Sequence, residues 1–589
     1  MTLTPPVERS VSGRCWRWRD HDAALALAIC QRIDLPEVVG RVLAGRGLAL
    51  DGVPAFIQPR LRDALPDPSH LHDLDRAVDR LADAVAAGEP VGLLGDYDVD
   101  GATSVALLAR YLRAVEGRAV IDVPDRLLEG YGPNPLALER LAAQGCRLVV
   151  TLDSGTTAFD ALAFAAERGL EVIVVDHHAA EPRLPPALAV INPNRCDQVS
   201  PARELAAVGV TFLVIVALNR TLRGRGHFTR RVEPDLRRWL DLVALGTVCD
   251  VVPLMGLNRA LVAQGLKVAA RGGNPGLAAL ALAARCDGPP SAEQFGFVLG
   301  PRINAGGRTG CSQLAAELLL CETPDEVALI VERMERLNQE RRALQRRVIE
   351  AAERQLGPAL AAGSPLLLAA GEDWSPGVAG LAAARLVERY HRPALVIGMA
   401  GEVGKGSGRS VPGFDLGSAV IAARQAGLLL QGGGHPMAAG LTVRADMLDA
   451  LGRFLGERLE RELGRGPLPP PDLALDGALQ VTALAPRLAE RLGSLGPFGR
   501  GNPEPRFMLP DARSFQVRRI GESHLDCWLQ DAAGGRVRAV AFGAAERPLG
   551  AALLGAGGAP LHLAGTLQLD RWQGSLRVSF RIEDAAACG

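Results

Sequence analysis

Three apolar runs, Val91 to Gly95, Arg147 to Leu152 and Glu171 to Val175, each have the length and branching of a buried strand, and segments of helical period separate them. Each run ends in acids or histidines: Asp96-Tyr97-Asp98-Val99-Asp100-Gly101, Asp153-Ser154-Gly155, and Asp176-His177-His178. A fourth cluster, Asp250 at the end of Gly246-Thr247-Val248-Cys249-Asp250, follows another apolar run that also reads as a strand. Continuous apolar strands alternating with helices demand right-handed crossovers and a parallel sheet covered on both faces. Ligands of such sheets bind beyond the carboxyl ends of the strands, so the four clusters converge on one edge.

An Asp-x-Asp or a pair of histidines taken singly is more often structural or surface. The four together are different. Gathering that many carboxylates without counter-charge costs on the order of several kcal/mol per charge, and Lys and Arg are scarce in these motifs. A pair of hard divalent cations is the better account, and two such cations activate a water and stabilise a phosphoryl centre. Oxygen-rich donor sets suit magnesium or manganese, and the imidazoles tilt the choice toward manganese. The chain therefore reads first as a metal-dependent phosphoesterase.

The rest of the chain divides at its punctuation. Leu71 to Ala87, Thr103 to Val115 and Ala158 to Arg168 have helical periodicity. Thr323 as N-cap and Pro324 at the first helical position open a helix running to Leu356 that joins two lobes. Its Arg333, Arg336, Arg341, Arg342, Arg346 and Arg347 form either a solvated face balanced by Glu332, Glu335, Glu340 and Glu350 or a nucleic-acid contact. A second α/β lobe spans about Pro365 to Leu463, and Gly466-Pro467-Leu468-Pro469-Pro470-Pro471 reads as a linker. Beyond it, short alternating runs such as Leu525-Asp526-Cys527-Trp528-Leu529 predict a small all-β barrel. Trp528 alternates with Leu525, Cys527 and Leu529, so it faces away from them; it and Trp572 are candidate stacking platforms for bases.

Composition closes off other classes. Ten cysteines without a C-x-x-C pair argue against a disulfide framework or a zinc site. No basic leader precedes an apolar core at the N-terminus and no run is apolar over about 18 residues, which predicts a soluble cytoplasmic protein that does not engage a membrane. With 65 Lys and Arg against 66 Asp and Glu, a nucleic acid would be held by a local basic surface. Gly404-Lys405-Gly406-Ser407 lacks the upstream glycine of a phosphate-binding loop, so ATP use is not indicated.

The four clusters, in order, resemble motifs one to four of the DHH phosphoesterase superfamily. Gly300-Pro301-Arg302-Ile303-Asn304-Ala305-Gly306-Gly307-Arg308, Ser407-Gly408-Arg409-Ser410 and Gly432-Gly433-Gly434-His435-Pro436-Met437-Ala438-Ala439-Gly440 resemble elements of the RecJ family of single-strand-specific exonucleases, and Gly496 to Pro505 resembles the start of that family's OB-like domain. The similarity extends from about Leu71 to the end. The resemblance implies an α/β fold: a parallel-sheet DHH domain (71–322), a connecting helix (323–358), a smaller α/β DHHA1 domain (359–465) and an all-β OB-like barrel (472–589), after an N-terminal segment (1–70).

It further implies two Mn2+ or Mg2+ ions. One would be held by Asp98 and Asp153, with Asp96 completing or orienting that site because Leu94 stands where some relatives have a histidine; the other by Asp100, Asp153, His177 and Asp250, Asp153 bridging. His178 would contact phosphate or support the ligands, with Asp176 behind an imidazole. Arg308, Ser407, Arg409 and His435 would hold the 5′ end of a DNA strand. The implied activity is 5′→3′ hydrolysis of single-stranded DNA to mononucleotides in recombination and repair, with a RecQ-type helicase and a single-strand-binding protein as partners. The rival readings are a relative acting on short oligoribonucleotides, cyclic dinucleotides or polyphosphate, and a non-catalytic DNA-binding scaffold.

Overall fold

The computed structural model describes residues 7–126, 128–286, 288–464, 468, 472–572 and 575–588; most of the proline-rich stretch lies outside them. The first domain is built on five parallel strands in the spatial order Arg118–Asp122, Pro90–Gly95, Leu148–Leu152, Glu171–Val175 and Ala189–Ile191. After Pro90–Gly95 the chain first adds a strand on one side and then returns to the other, so the order reverses around that strand. The crevice at such a reversal lies at the carboxyl ends of the central strands, where Asp96 begins.

Helices close both faces for the reason the sequence states. Leu74, Ala77, Val78, Leu81, Ala82 and Val85 recur at helical spacing along Leu74–Ala87 and are buried against the sheet, and Gly88, at φ +65°, ends that helix in the left-handed region. Burying each such Leu or Val stabilises the domain by roughly 1.5–3 kcal/mol. Ala207–Gly224 is long and apolar enough to cross a membrane by length and composition, although Asn219, Arg220 and Arg223 interrupt it; 72% of it is buried inside this domain.

Two expectations change. The run before Asp250 is a helix, Leu240–Cys249, because all-apolar runs carry no period that separates strand from buried helix. The helix expected from Thr103 begins at Val99, capped by Asp98, so the second half of the first cluster is itself helical.

The connecting helix runs from Pro324 to Ala361, 38 residues or about 57 Å at 1.5 Å per residue. Val327, Val331, Met334 and Leu337 sit in the core of the first domain, and Val348, Ala352 and Leu356 in that of the second. It continues past Pro358, which stands in its last turn. The second lobe is a mixed sheet in the order Gln431–His435, Ala438–Arg444, Val403–Arg409, Ala394–Ala400, Leu367–Glu372. The third unit is a closed barrel of Phe507–Ile520, His524–Gln530, Arg536–Ala541, Ser575–Ala587 and Pro560–Trp572, the first strand pairing with the last.

The opening residues belong to that barrel. Trp16–Trp18 pairs in parallel with Leu473–Leu475, and the fully buried Trp16 indole donates to Asp584 at 3.0 Å. Ile29, Val42, Leu43 and Phe56 share a core with Leu525, Leu529 and Phe580.

Candidate metal centre and phosphate row

Asp98 caps the helix Val99–Ala114, accepting from the Gly101 amide at 3.0 Å, while Asp96 ends the strand. Gly101 is required by proximity, since a Cβ there would stand 2.5 Å from the Asp96 carbonyl oxygen. Asp100 accepts the amides of Ala207 and Val208 at 2.6 and 2.9 Å, at the positive end of the helix Ala207–Gly224. Asp153 sits at φ +63°, a sparsely populated conformation for a residue with a side chain.

These groups meet. Asp96, Asp98 and Asp153 bring one ligand atom each within 4.8 Å of one another, as do Asp100, His177 and Asp250. The His177 Nε2 lies 3.4 Å from Asp153 Oδ1, 3.7 Å from Asp250 Oδ2 and 3.9 Å from Asp100 Oδ2, so Asp153 stands between the two sets. Asp153 Oδ1 and His177 Nε2 are both buried with no hydrogen-bond partner. A buried lone pair normally finds a partner, and orphaned oxygen and imidazole donors aimed at one another are what a cation would satisfy.

The electrostatics point the same way. Burial and then Asp250 push Asp100 up to about 7, and burial and then Asp98 push Asp250 up to about 7. Asp96 and Asp153 rise well above the ordinary carboxylate range, through burial first and then neighbouring carboxylates. The cluster carries more negative charge than the protein around it compensates.

Behind the histidines, Asp176 accepts from the amides of Thr156 (3.0 Å), His177 (2.7 Å) and His178 (3.2 Å) and from His178 Nδ1 (2.8 Å). Burial alone would raise this carboxyl; the His178 and Thr156 hydrogen bonds hold it below its ordinary value. Burial opposes charge on His178, but the Asp176 hydrogen bond and charge raise it to about 9. Asn192 Nδ2 donates to the His178 carbonyl and Asn194 Nδ2 to the His177 carbonyl, and the Tyr131 hydroxyl donates to the Asp153 carbonyl at 3.1 Å.

Arg308 and Arg409 face each other across the two lobes, and Ser407 and His435 lie on the sheet that carries Arg409. In the second sheet Arg409, Ala438 and His435 are directly opposite one another across three strands, and Ser407, Gly440 and Gly433 form the next row. Opposed residues leave the same face, so Ser407, Arg409 and His435 share one, floored by small residues. A Cβ at Gly433 or Gly440 would meet nothing within 4 Å, so that floor is open. Arg308 Nη1 donates to the Gly377 carbonyl at 2.8 Å, bringing the first domain against the second. Burial first, then the like charges of Arg126 and Arg409, lower the Arg308 guanidinium; burial and then Arg126 lower Arg409. Guanidiniums crowded in this way need an anion.

Sequence reasoning passed over Arg126, which stacks on the Tyr97 ring at 4.6 Å and donates to its hydroxyl, and also Tyr131, Asn192 and Asn194. All four follow Arg118–Asp122 or Ala189–Ile191, strands whose short or charged runs carried no clear signal. Trp528 is exposed on the barrel, 40% accessible, with Leu525, Cys527 and Leu529 buried beneath. Trp572 ends a strand, and its side chain lies outside the described residues.

Family models match all three units: the DHH family N-terminal domain over 90–247, the DHHA1 domain over 363–461 and the RecJ OB domain over 475–584. The chain is 37% identical over 525 residues to the single-stranded-DNA-specific exonuclease RecJ of Dickeya dadantii, covering 85% of this chain and 88% of that protein. The chain belongs to the RecJ family. The Escherichia coli RecJ is 35% identical over the same shares of the two chains. The crystal structure of Thermus thermophilus RecJ in complex with Mn2+ superposes with a TM-score of 0.78 at 29% identity, covering 97% of this chain and 80% of that one. A match over 97% of the chain takes in most of the first seventy residues, in keeping with their place in the barrel core of this RecJ-family chain.

Proposed function

We propose that this chain is a metal-dependent exodeoxyribonuclease that degrades single-stranded DNA from its 5′ end and releases 5′-mononucleotides, in recombination and repair. The observation that carries the reading is the pairing of two acidic donor sets, sharing Asp153, with a crowded arginine group drawn from both lobes. One set binds anions and the other cations, which is the complement of a phosphodiester next to a terminal phosphate. The relatives at 35–37% identity are named single-stranded-DNA-specific exonucleases, and Thermus RecJ crystallises with Mn2+ or with Mg2+.

The donors fit a pair of divalent cations: Asp96, Asp98 and Asp153 for one, Asp100, Asp153, His177 and Asp250 for the other. When bound, Mn2+ or Mg2+ supplies a water acidified enough to attack phosphorus and charge to offset that on its oxygens. The protein's own groups do the rest. Asp176 fixes His178 through Nδ1, leaving Nε2 as the ring's remaining polar atom to meet a phosphate oxygen. Arg409, with Ser407, His435 and Arg308, holds the 5′-phosphate, a planar guanidinium suiting two phosphate oxygens at once. A terminus seated there fixes which bond reaches the metals, so cleavage proceeds stepwise from that end.

The strand leaves through a cleft of about 1150 Å³ between the first domain and the barrel, lined by Val251, Phe498, Arg500 and Arg506 and reaching the residues on either side of Asp250. A duplex, much wider than one strand, would not enter a slot made for a single chain, so a helicase of the RecQ type and a single-strand-binding protein would supply the substrate.

Three manganese-supported digests test the reading: a single strand labelled at its 3′ end, the same strand with a bulky 5′ block, and a blunt duplex. Late release of the 3′ label, protection by the block and survival of the duplex are expected. Early release of the 3′ label as mononucleotide, or equal digestion of the duplex, refutes it.

A further inference from the structure

Outside the nuclease centre, one group among the described residues brings three different metal-binding atoms together: Asp511, His562 and Cys588, within 4.8 Å of one another on the barrel. They come from three neighbouring stretches of strand. Leu509 stands opposite Leu563 and Ala512 opposite Leu561, so two residues, Pro510 and Asp511, face the single residue His562. Such a bulge re-aims a side chain, and Asp511, at φ +52°, turns both its amide and its carboxylate toward the imidazole. His562 pairs with Ala586 on its other side, and Cys588 lies two residues further on, which in a pleated strand is the same face.

The distances suit one ion. Cys588 Sγ is 3.7 Å from His562 Nδ1, which is 3.8 Å from Asp511 Oδ1. A tetrahedral zinc ion, bonded at about 2.3 Å to sulfur and about 2.0–2.2 Å to nitrogen and oxygen, holds such donors roughly 3.3–3.6 Å apart, so these two pairs need close by only a few tenths of an ångström. His562 Nδ1 accepts the Asp511 amide in a long bond of 3.3 Å, so this nitrogen carries a lone pair, turned into the group, that an ion can take over. The imidazole is 11% exposed and the Asp511 side chain 67%, which leaves the outer side of the group to water. Burial first, then the hydrogen bond to Asp511, push the Cys588 thiol up to about 11, so without a cation it keeps its proton.

We propose that Asp511, His562 and Cys588 form a zinc site on the barrel, separate from the two-cation nuclease centre. Donor chemistry selects the ion: a thiolate with an imidazole and one carboxylate suits Zn2+, whereas the oxygen-rich nuclease set suits Mn2+ or Mg2+. Zn2+ releases the Cys588 proton to solvent, bonds Sγ, Nδ1 and a carboxylate oxygen, and keeps a water in its fourth position, so the site is open and exchangeable. Its effect is to brace the barrel. Ala564 and Ala586, beside His562 in the same strands, pack with the fully buried Trp16, so an ion there ties Phe507–Ile520 to the two strands that hold the opening residues. No C-x-x-C pair marks the site, because His562 lies 51 residues from Asp511 and 26 from Cys588. The site stands whether or not the chain is an exonuclease.

The test uses the full-length protein carrying Asp153→Ala, which disables the nuclease centre, and Co2+ in place of Zn2+, because a thiolate bonded to cobalt gives a near-ultraviolet charge-transfer band that carboxylates and imidazoles do not. The band should appear on titration with Co2+, vanish when Zn2+ displaces the cobalt, and be missing once Cys588→Ser is added. Zn2+ should raise Tm of the Asp153→Ala protein, and Cys588→Ser, which keeps the size of the side chain, should remove that rise. Asp511→Asn, at an exposed side chain whose loss leaves the core intact, should weaken Co2+ binding at least about ten-fold, since even indirect partners of a metal cost that much. No band in the Asp153→Ala protein, an undiminished band after Cys588→Ser, or unchanged Co2+ affinity in Asp511→Asn overturns the proposal. Manganese-supported digestion by the parent bears on the nuclease centre alone.

Discussion

Asp176 touches no substrate in the proposed scheme, yet it positions the groups that do, and replacing it with Asn gives a sharp test. Oδ1 accepts from the His177 and His178 amides and from His178 Nδ1, and Oδ2 from the Thr156 amide at 3.0 Å. In Asp176→Asn the retained oxygen can still serve the first three, without its charge. The new amide group turns a donor toward the Thr156 amide, itself a donor, in a site where Asp176 is 1% exposed. One buried donor left unpaired costs about 1–3 kcal/mol, and weaker acceptance from the others adds to it, so a loss of about 2–3 kcal/mol is expected. Positioning partners of metal ligands typically change metal affinity by roughly 10–100-fold, and the same is expected here for Mn2+. The folded-state value of Asp176 lies below its ordinary 3.8, so its contribution is present above that pH and fades as pH falls through the lowered value. The difference between parent and variant should therefore be full at pH 7 and shrink in acid. Denaturant unfolding in EDTA reads the stability, and calorimetric titration with Mn2+ reads the affinity. A variant that unfolds within about 0.5 kcal/mol of the parent and binds Mn2+ equally well would show that this hydrogen-bond set does not support the metal centre.

Asp153→Ala, which removes the carboxylate shared by the two donor sets, should abolish hydrolysis while strand binding in EDTA changes little; near-normal turnover would sink the two-metal assignment. Arg409→Ala should chiefly erase the preference for a 5′-phosphate over a 5′-hydroxyl, read as the ratio of kcat/KM on the two substrates, and an unchanged ratio places the end pocket elsewhere. Asp100 and Asp250 are each raised to about 7, so the metal-free fold holds protons there that the unfolded chain releases above pH 4, and its stability falls as pH rises toward 7. Metal binding displaces those protons, so the rise in Tm on adding Mn2+ should widen from pH 6 to pH 8; a flat or narrowing shift contradicts the buried-carboxylate account.

What the sequence determined by itself is whatever has a local period or a local chemistry. The apolar strands before Asp96, Asp153 and Asp176, the helix opened by Thr323 and Pro324, and the buried alternation that leaves Trp528 outside are all set by side chains a few residues apart, because strand and helix periodicity are local properties. The family motifs placed the candidate ligands in order along the chain. The tertiary structure alone decided that Asp250 arrives on a helix, since an unbroken apolar run suits a buried strand and a buried helix equally and only packing selects between them. It decided that Trp16 joins Leu473 and Asp584, a closure across more than 450 residues that no window of sequence can register. It brought Arg126 beside Tyr97, Arg308 and Arg409, four groups from two lobes whose mutual proximity depends on how the long helix sets one lobe against the other. Charge crowding and orphaned donors are relations between distant parts of the chain, and the candidate centre became measurable only when folding placed those parts within a few ångströms of one another.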